Sequence, residues 1–251
     1  MRLIRQSAFN GMKVLELGAG SGLMSQRIAE FFFANEQPDS RVQAVDIDAE
    51  TFKAKDVAFQ KWDLNSLFPS PDQQFDIVFS IEVLEHLHNP YQFISECRRI
   101  LRPGGLLILT TPNNLHIGSR FRYLTSGFPS LYEPPSIRVK NAGRLCGHVM
   151  PIHAAYVDYG LRRVNFEHIS WHCDKEHKHS LFWFYALRPL WALLQYSNLK
   201  HYEAYDSEVF KECEEVLQIM GSRLMMTSRS LIVSARRSGD PIATAHTKHV
   251  L

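Results

Sequence analysis

Hydrophobic and polar positions along the first half of the chain follow two periods in turn. Short apolar runs at Met12–Leu17, Arg41–Asp46, Val57–Lys61, Phe75–Ser80 and Leu106–Thr110 have the length and Val/Ile/Phe content of strands buried on both faces of a parallel sheet. Between them, Leu23–Phe33 and Tyr91–Leu101 place apolar residues at helical spacing. Pro103-Gly104-Gly105 stops the second of these helices. A shorter helix is expected within Ala49–Ala54. Strands alternating with helices predict an α/β fold, a parallel sheet with both faces covered.

After Thr110 the regularity lapses. Prolines and glycines gather in residues 112–152, which reads as an inserted lid and not as core. A short helix at His153–Tyr159, stopped by Gly160, is expected to lead into a strand at Arg162–Ser170. A second departure opens with the polar run His172–His179 and continues through Leu181–Leu194, almost wholly apolar and rich in aromatics. Arg188 and Pro189 interrupt that run, and a membrane-spanning helix needs about 20 apolar residues, so it is not expected to span. Its aromatic residues suit the core of a cap, with an apolar acceptor pocket or a dimer face as alternatives. A helix at Ser207–Met220 and a last strand at Ser230–Ala235 follow. The organisation is therefore a single domain over 1–236. Its core is 11–112, 153–171 and 223–236, its inserted lid or cap is 113–152 and 172–222, and 237–251 forms a flexible tail.

Composition narrows the class. At 251 residues, 45% hydrophobic and 22% charged, the chain is an ordinary globular protein. A formal net charge of +2 with no long basic run gives no case for a nucleic-acid partner. Cys97, Cys146, Cys173 and Cys213 are far apart and form no Cys-x-x-Cys pair, which argues for reduced thiols and a cytoplasmic setting. The start, Met1-Arg-Leu-Ile-Arg5, lacks the apolar core of a signal peptide.

The chemistry gathers around Val14–Gly22, a strand running into Gly18-Ala19-Gly20-Ser21-Gly22 and then a helix. Glycines accept positive φ in such a turn and let a ligand approach the backbone and the helix N-terminus. Leu23 stands where a dinucleotide fingerprint wants a small residue. Asp46 closes the second strand opposite this turn, where a carboxylate can accept both hydroxyls of a ribose. Asp63 follows the third strand and can accept from an exocyclic amine, though an Asx-turn explains it better when it is taken alone.

Taken with Phe75-Asp-Ile-Val-Phe-Ser80, Val83-Leu-Glu-His-Leu87 and Leu101-Arg-Pro-Gly-Gly105, the chain resembles a class I S-adenosylmethionine-dependent methyltransferase. It is most similar to the branch containing ubiquinone-biosynthesis-type small-molecule methyltransferases. The resemblance covers residues 11–112. It implies a Rossmann-like, doubly wound, seven-stranded and mostly parallel sheet whose last strand is antiparallel. It also implies S-adenosyl-L-methionine as cofactor and S-adenosyl-L-homocysteine as product. Position by position, Glu16 and Gly18 would border the methionine moiety, with Ala19 beside them, and Gly20 would pass under the cofactor. Asp46 would take the ribose with Ile47 against the adenine, Asp63 and Leu64 would hold the adenine edge, and Ser80 with Ile81 would line the sulfonium side. Family members carry helices ahead of the first strand, for which little chain remains here.

The expected reaction is transfer to an oxygen of a small or lipid-like acceptor, with peripheral membrane contact allowed. The alternatives are a non-catalytic cofactor-binding regulator of the same fold and a nicotinamide-dependent oxidoreductase, which Leu23 and the Leu101–Gly105 turn disfavour. His148 is the candidate general base, since an imidazole can take a hydroxyl proton near neutral pH. His153 is expected to cap the following helix, and His86 and Glu85 to support the site from behind. His172, Cys173, His177 and His179 match no complete zinc spacing, so no metal is expected.

Overall fold

A computed structural model describes residues 1–132 and 148–239. Cys146, part of the expected lid and most of the expected tail therefore lie outside the described residues. The chain divides into two compact units. The first comprises residues 1–110, 160–170 and 233–251, and the second 111–159 and 171–232.

The sheet contains seven strands: β1 (Lys13–Leu17), β2 (Arg41–Asp46), β3 (Ala58–Lys61), β4 (Phe75–Ile81), β5 (Leu101–Pro112), β6 (Phe166–Cys173) and β7 (Ser230–Arg237). Their order is β3-β2-β1-β4-β5-β7-β6. The pairings β2 to β3, β1 to β2, β1 to β4 and β4 to β5 are all parallel. Beyond them the sheet is mixed, with the last strand inserted between β5 and β6. The expected mostly parallel, doubly wound sheet is thus present. Val14, Leu15, Leu17, Ile77 and Val78 are almost fully buried, as central parallel strands require. β3, at the edge, buries none of its residues.

Glycine punctuates β5 differently from the expected helix stop. Phe75 pairs with Leu101, but Ile77 pairs with Leu106, so Arg102–Gly105 bulges out of the ladder. Gly104 takes φ +75° there. The helix α3 (Pro90–Ile100) ends just before it; Asn89 caps α3 by accepting from Gln92 N at 3.0 Å, with Pro90 at its start.

A short helix α1 (Arg2–Ser7) precedes β1, and its Ile4 is buried. Three expectations are corrected. No helix forms in Ala49–Ala54. Asp48 instead accepts from Glu50 N, and Phe52 and Ala54 pack against Gly22. Gly160 does not stop α5, which runs Ala154–Arg163. A Cβ at Gly160 would lie 2.9 Å from the Tyr91 ring, so the glycine serves close packing, and β6 starts later than expected. Leu181–Leu194 is not one run but parts of two helices, α6 (Lys178–Ala186) and α7 (Arg188–Tyr205), which break at Leu187 before Pro189.

The second unit also holds α4 (Ile117–Ser126), α8 (Ser207–Met220) and α9 (Arg223–Thr227), of which only α8 was anticipated. Its core gathers Ala154, Met225 and Leu231, with Leu115, Trp171, Ile219 and Leu224 against them. Asn113 stitches this core by donating to the carbonyls of Met225 and Ser228 at 2.9 and 2.8 Å. α7 buries no residue, so the aromatic segment is not cap core. Among the described residues no helix is long and apolar enough to cross a membrane.

Candidate functional site

The strand-to-helix turn after β1 is held from below by β2. The amides of Gly18 and Ala19 both donate to Val45 O, at 2.9 and 3.0 Å. The amide of Gly20 donates to Asp46 Oδ2 at 2.7 Å, while Asp46 Oδ1 accepts from Asp48 N at 3.0 Å. Asp46 therefore braces the turn and keeps further lone pairs for a ligand, since a carboxylate has about four acceptor sites.

All three glycines have positive φ, but they face different things. A Cβ on Gly18 would fall 2.3 Å from Val83, and one on Gly22 would fall 2.4 Å from Phe52. At Gly20 nothing lies within 4 Å. Gly18 and Gly22 are thus fixed by the protein's own packing, whereas Gly20 fronts open room.

That room is a cleft of about 330 Å³ in the first unit, within the size range of small-molecule sites. Gly18, Gly20, Asp46, Ile47, Asp63 and Leu64 all line it. Ile47, 59% exposed, offers an apolar face beside the carboxylates. Asp63 accepts from Asn65 N at 2.9 Å, so the Asx-turn forms even though the residue borders the cleft. Trp62, buried at the root of this wall, donates its amide to Asp46 O at 3.0 Å and stacks near Phe68.

The remaining candidates sit elsewhere. Glu16 is buried behind the turn, its Oε2 accepting from the amide (2.9 Å) and hydroxyl of Ser25. The helix that follows, α2 (Leu23–Ala34), has Gly22 as its N-cap and no side-chain cap. Glu16 supplies from β1 the acceptor the cap lacks. Burial raises the Glu16 carboxyl to about 7, against the lowering effect of the Ser25 hydrogen bonds and with a further push from Asp46. Ala19 is buried beneath the turn. Ser80 is buried and donates its hydroxyl to Leu17 O at 2.9 Å, tying β4 to β1; it and Ile81 are not among the described cleft-lining residues.

Glu82 carries a cleft role that sequence reasoning missed. It lines the cleft with Val83, His86 and Leu87. Its backbone takes φ +56°, uncommon for a residue with a side chain. Its amide donates to Thr110 O at 3.2 Å and to Thr110 Oγ1 at 3.1 Å. The sequence signal was the strand end Phe79–Ile81 running directly into an acid. His86 borders the cleft instead of only supporting it.

His116, His148, His153 and His177 lie in the second unit. His148 Nδ1 is 2.9 Å from Leu131 O, and its ring is 5.2 Å from that of Tyr132. A carbonyl partner places the proton on Nδ1 and leaves Nε2 as the basic nitrogen. His153 Nδ1 accepts from Ala155 N at 3.2 Å and its carbonyl accepts from Tyr156 and Val157, which is the helix-capping role expected of it. His177 packs against His116, ring centroids 4.7 Å apart.

The donor set fits an adenosine-bearing cation. Asp46, Asp63 and Glu82 bring carboxylates to one cleft beside the apolar Ile47 and Leu64. Of the three glycines in the turn, Gly20 alone fronts open room.

Comparison with known proteins agrees. A family profile described as "Methyltransferase domain" matches residues 15–109. A Mycolicibacterium smegmatis protein named "Probable S-adenosylmethionine-dependent methyltransferase" is 35% identical over 109 residues, 42% of this chain and 40% of that protein. The ubiquinone biosynthesis O-methyltransferase of Caulobacter vibrioides is 26% identical over 172 residues, 60% of this chain and 66% of that protein. The chain thus spans less than two thirds of the length of these relatives. In fold, it is similar to a SAM-dependent methyltransferase from Archaeoglobus fulgidus, with TM-score 0.55, 16% identity and coverage of 94% of this chain and 91% of that one.

Proposed function

We propose that this chain, which through residues 15–109 belongs to the class I S-adenosylmethionine-dependent methyltransferases, binds that cofactor in the cleft above Gly20. We propose further that it methylates an oxygen of a small or lipid-like acceptor. The observation that carries the reading is the open room over Gly20, opposite Asp46 and flanked by Asp63, where its neighbours Gly18 and Gly22 are walled in.

The bound cofactor would supply an electrophilic methyl group on a cationic sulfur. The chain's part is positioning. Asp46 accepts from ribose hydroxyls while it holds the turn, Ile47 and Leu64 take the ring, and Asp63 accepts from the exocyclic amine. Glu82 places negative charge in the cleft, where it favours a cationic ligand over its neutral product. Fixing the reacting groups in line supplies much of the rate in a displacement of this kind. His148, with Nε2 as the basic nitrogen, is the proposed acceptor of the hydroxyl proton.

Oxygen transfer to a small acceptor draws support from the ubiquinone O-methyltransferase relatives. A lipid-like acceptor draws support from exposed apolar side chains on α4, α6 and α7. Leu124, Phe182, Leu193 and Tyr205 are 81%, 64%, 64% and 86% exposed. The proposed compartment is the cytoplasm, in keeping with free Cys97, Cys173 and Cys213.

Thermal unfolding with S-adenosylhomocysteine and with nicotinamide cofactors tests the first step. At 100 times its Kd a ligand adds about 2.7 kcal/mol, and only the first is expected to stabilise. Stabilisation by nicotinamide cofactors alone overturns the reading. Transfer of labelled methyl to phenolic and lipid acceptors tests the second step. Cofactor binding without transfer to any acceptor points to the regulatory alternative.

A further inference from the structure

The second unit holds a cavity of its own, of about 510 Å³, walled by α4, the start of α5, α7, α8 and α9. Most of its surface is apolar, with Leu194, Leu217 and Met226 among the lining residues. Set into that wall is Arg120. Its Nε donates to Leu115 O at 2.6 Å and its Nη2 to Met220 O at 2.7 Å. Both partners are neutral carbonyls, and among the described residues no carboxylate pairs with the guanidinium. Burial lowers its pKa from the ordinary value with no acidic group opposing the shift. A partly buried cation without a counter-charge is costly to keep.

Two further donors belong to residues that line the same space. Trp191 Nε1 is buried with no hydrogen-bond partner. His153 accepts at Nδ1 from Ala155 N, which leaves its proton on Nε2 in the neutral form. The Arg120 charge and burial both hold His153 below its usual pKa, burial the more, so it stays neutral and donating. No Asp or Glu lies among the described residues lining the cavity. An apolar chamber whose polar groups include an uncompensated cation and unspent donors is complementary to a molecule with an anionic head and an apolar body.

We infer that this cavity is a binding site for an anionic amphiphile, its carboxylate or phosphate head held by Arg120 and Trp191 and its hydrocarbon or aromatic body by the leucine and methionine wall. None of these residues lines the cleft above Gly20, so the inference stands whether or not methyl transfer is the reaction.

Calorimetric titration of the whole chain with decanoate, decyl phosphate and decyltrimethylammonium at one ionic strength tests it. One anion is expected to bind at one per chain at least about tenfold more tightly than the ammonium, as charge-assisted hydrogen bonding gives. Preference between decanoate and decyl phosphate identifies the head group. Arg120→Met should remove at least about tenfold of the affinity, with folding checked by circular dichroism. Should that variant not fold, Leu194→Trp carries the test, because Leu194 is 45% exposed at the rim and a larger ring there blocks the cavity. Equal binding of anion and cation, no binding of either anion below millimolar concentration, or unchanged affinity in a folded variant overturns the inference.

Discussion

The two units of this chain bury their residues differently. In the first, central strands are buried on both faces and the glycine turn is clamped by backbone hydrogen bonds to β2. In the second, no residue of the 18-residue helix α7 is fully buried, and the half-buried Arg120 has no counter-charge among the described residues. Residues fixed by packing tolerate no change and say little about ligands. Residues left facing open room are the ones a ligand explains. The glycine turn contains both kinds within five positions.

The largest effect is expected inside that turn. Gly22→Val places a branched side chain on Phe52 and Ala54 at φ +77°. It should cost at least about 3 kcal/mol in denaturant unfolding, combining left-handed strain with overpacking. Gly20→Val meets nothing within 4 Å, so it should cost only about 1–2 kcal/mol of stability while abolishing S-adenosylhomocysteine binding. A Gly22→Val protein as stable as wild type, or a Gly20→Val protein that binds normally, breaks the distinction between packing and ligand glycines.

Glu16 belongs to the clamped region and should show it through pH. Its folded carboxyl titrates near 7 against an ordinary 4.5, so the folded state holds the proton more tightly than the unfolded chain. The stabilisation is full below pH 4.5 and lost as pH rises through 7, a fall of about 3 kcal/mol. Glu16→Gln should flatten that slope in unfolding curves measured from pH 4.5 to 8. An unchanged slope places the titration elsewhere.

In the second unit, His148→Ala should cut methyl transfer by about 10²-fold or more, the lower end for a general base. Cofactor affinity should hardly move. Activity at the wild-type level makes His148 a loop residue. A parallel loss of cofactor affinity breaks the proposed division of labour between the units.

The same contrast explains what could be read from the chain. β2 and α8 begin and end where the pattern predicted, because a buried strand and an amphipathic helix repeat at fixed periods. Phe52 and Ala54 were misassigned to a helix since their role, packing on Gly22, leaves no local period. Gly160 was read as a stop because its reason, the Tyr91 ring, lies far off in sequence. In the apolar Leu181–Leu194 run, Arg188 and Pro189 marked the interruption, but the aromatics suggested core where the helices expose them. At the site, Asp46, Ile47, Asp63 and Leu64 were legible as motif residues. Glu16 and Ser80 share those motifs but face inward, a distinction that needs coordinates. Arg120 and Trp191 were invisible because an uncompensated charge is defined by what is not near it.

Asp46→Ala should weaken cofactor binding by about 1–3 kcal/mol in calorimetry, the range for losing charge-assisted hydrogen bonds. Part of that loss is indirect, since Gly20 N loses its acceptor as well. Asp46→Asn keeps an acceptor for the amide without the charge and should fall between wild type and alanine. Affinity unchanged in both variants removes Asp46 from the site.

Asp63 gives the smallest and sharpest test, because it does two jobs. Its Oδ1 closes the turn onto Asn65 N at 2.9 Å, and its side chain borders the cleft. If the turn is its whole role, Asp63→Ala lowers stability by a few tenths to about 1 kcal/mol and leaves cofactor affinity alone. If it also accepts from the exocyclic amine, affinity falls as well, by about 0.5–1.5 kcal/mol for one neutral donor. Asp63→Asn separates the two. Its amide oxygen can close the same turn, so stability returns, while the missing charge leaves affinity between alanine and wild type. The expected result is that recovery of stability with only partial recovery of binding. Full recovery of both would mean that the charge on this side of the cleft is unused, and recognition would then rest on Asp46 and the open room over Gly20.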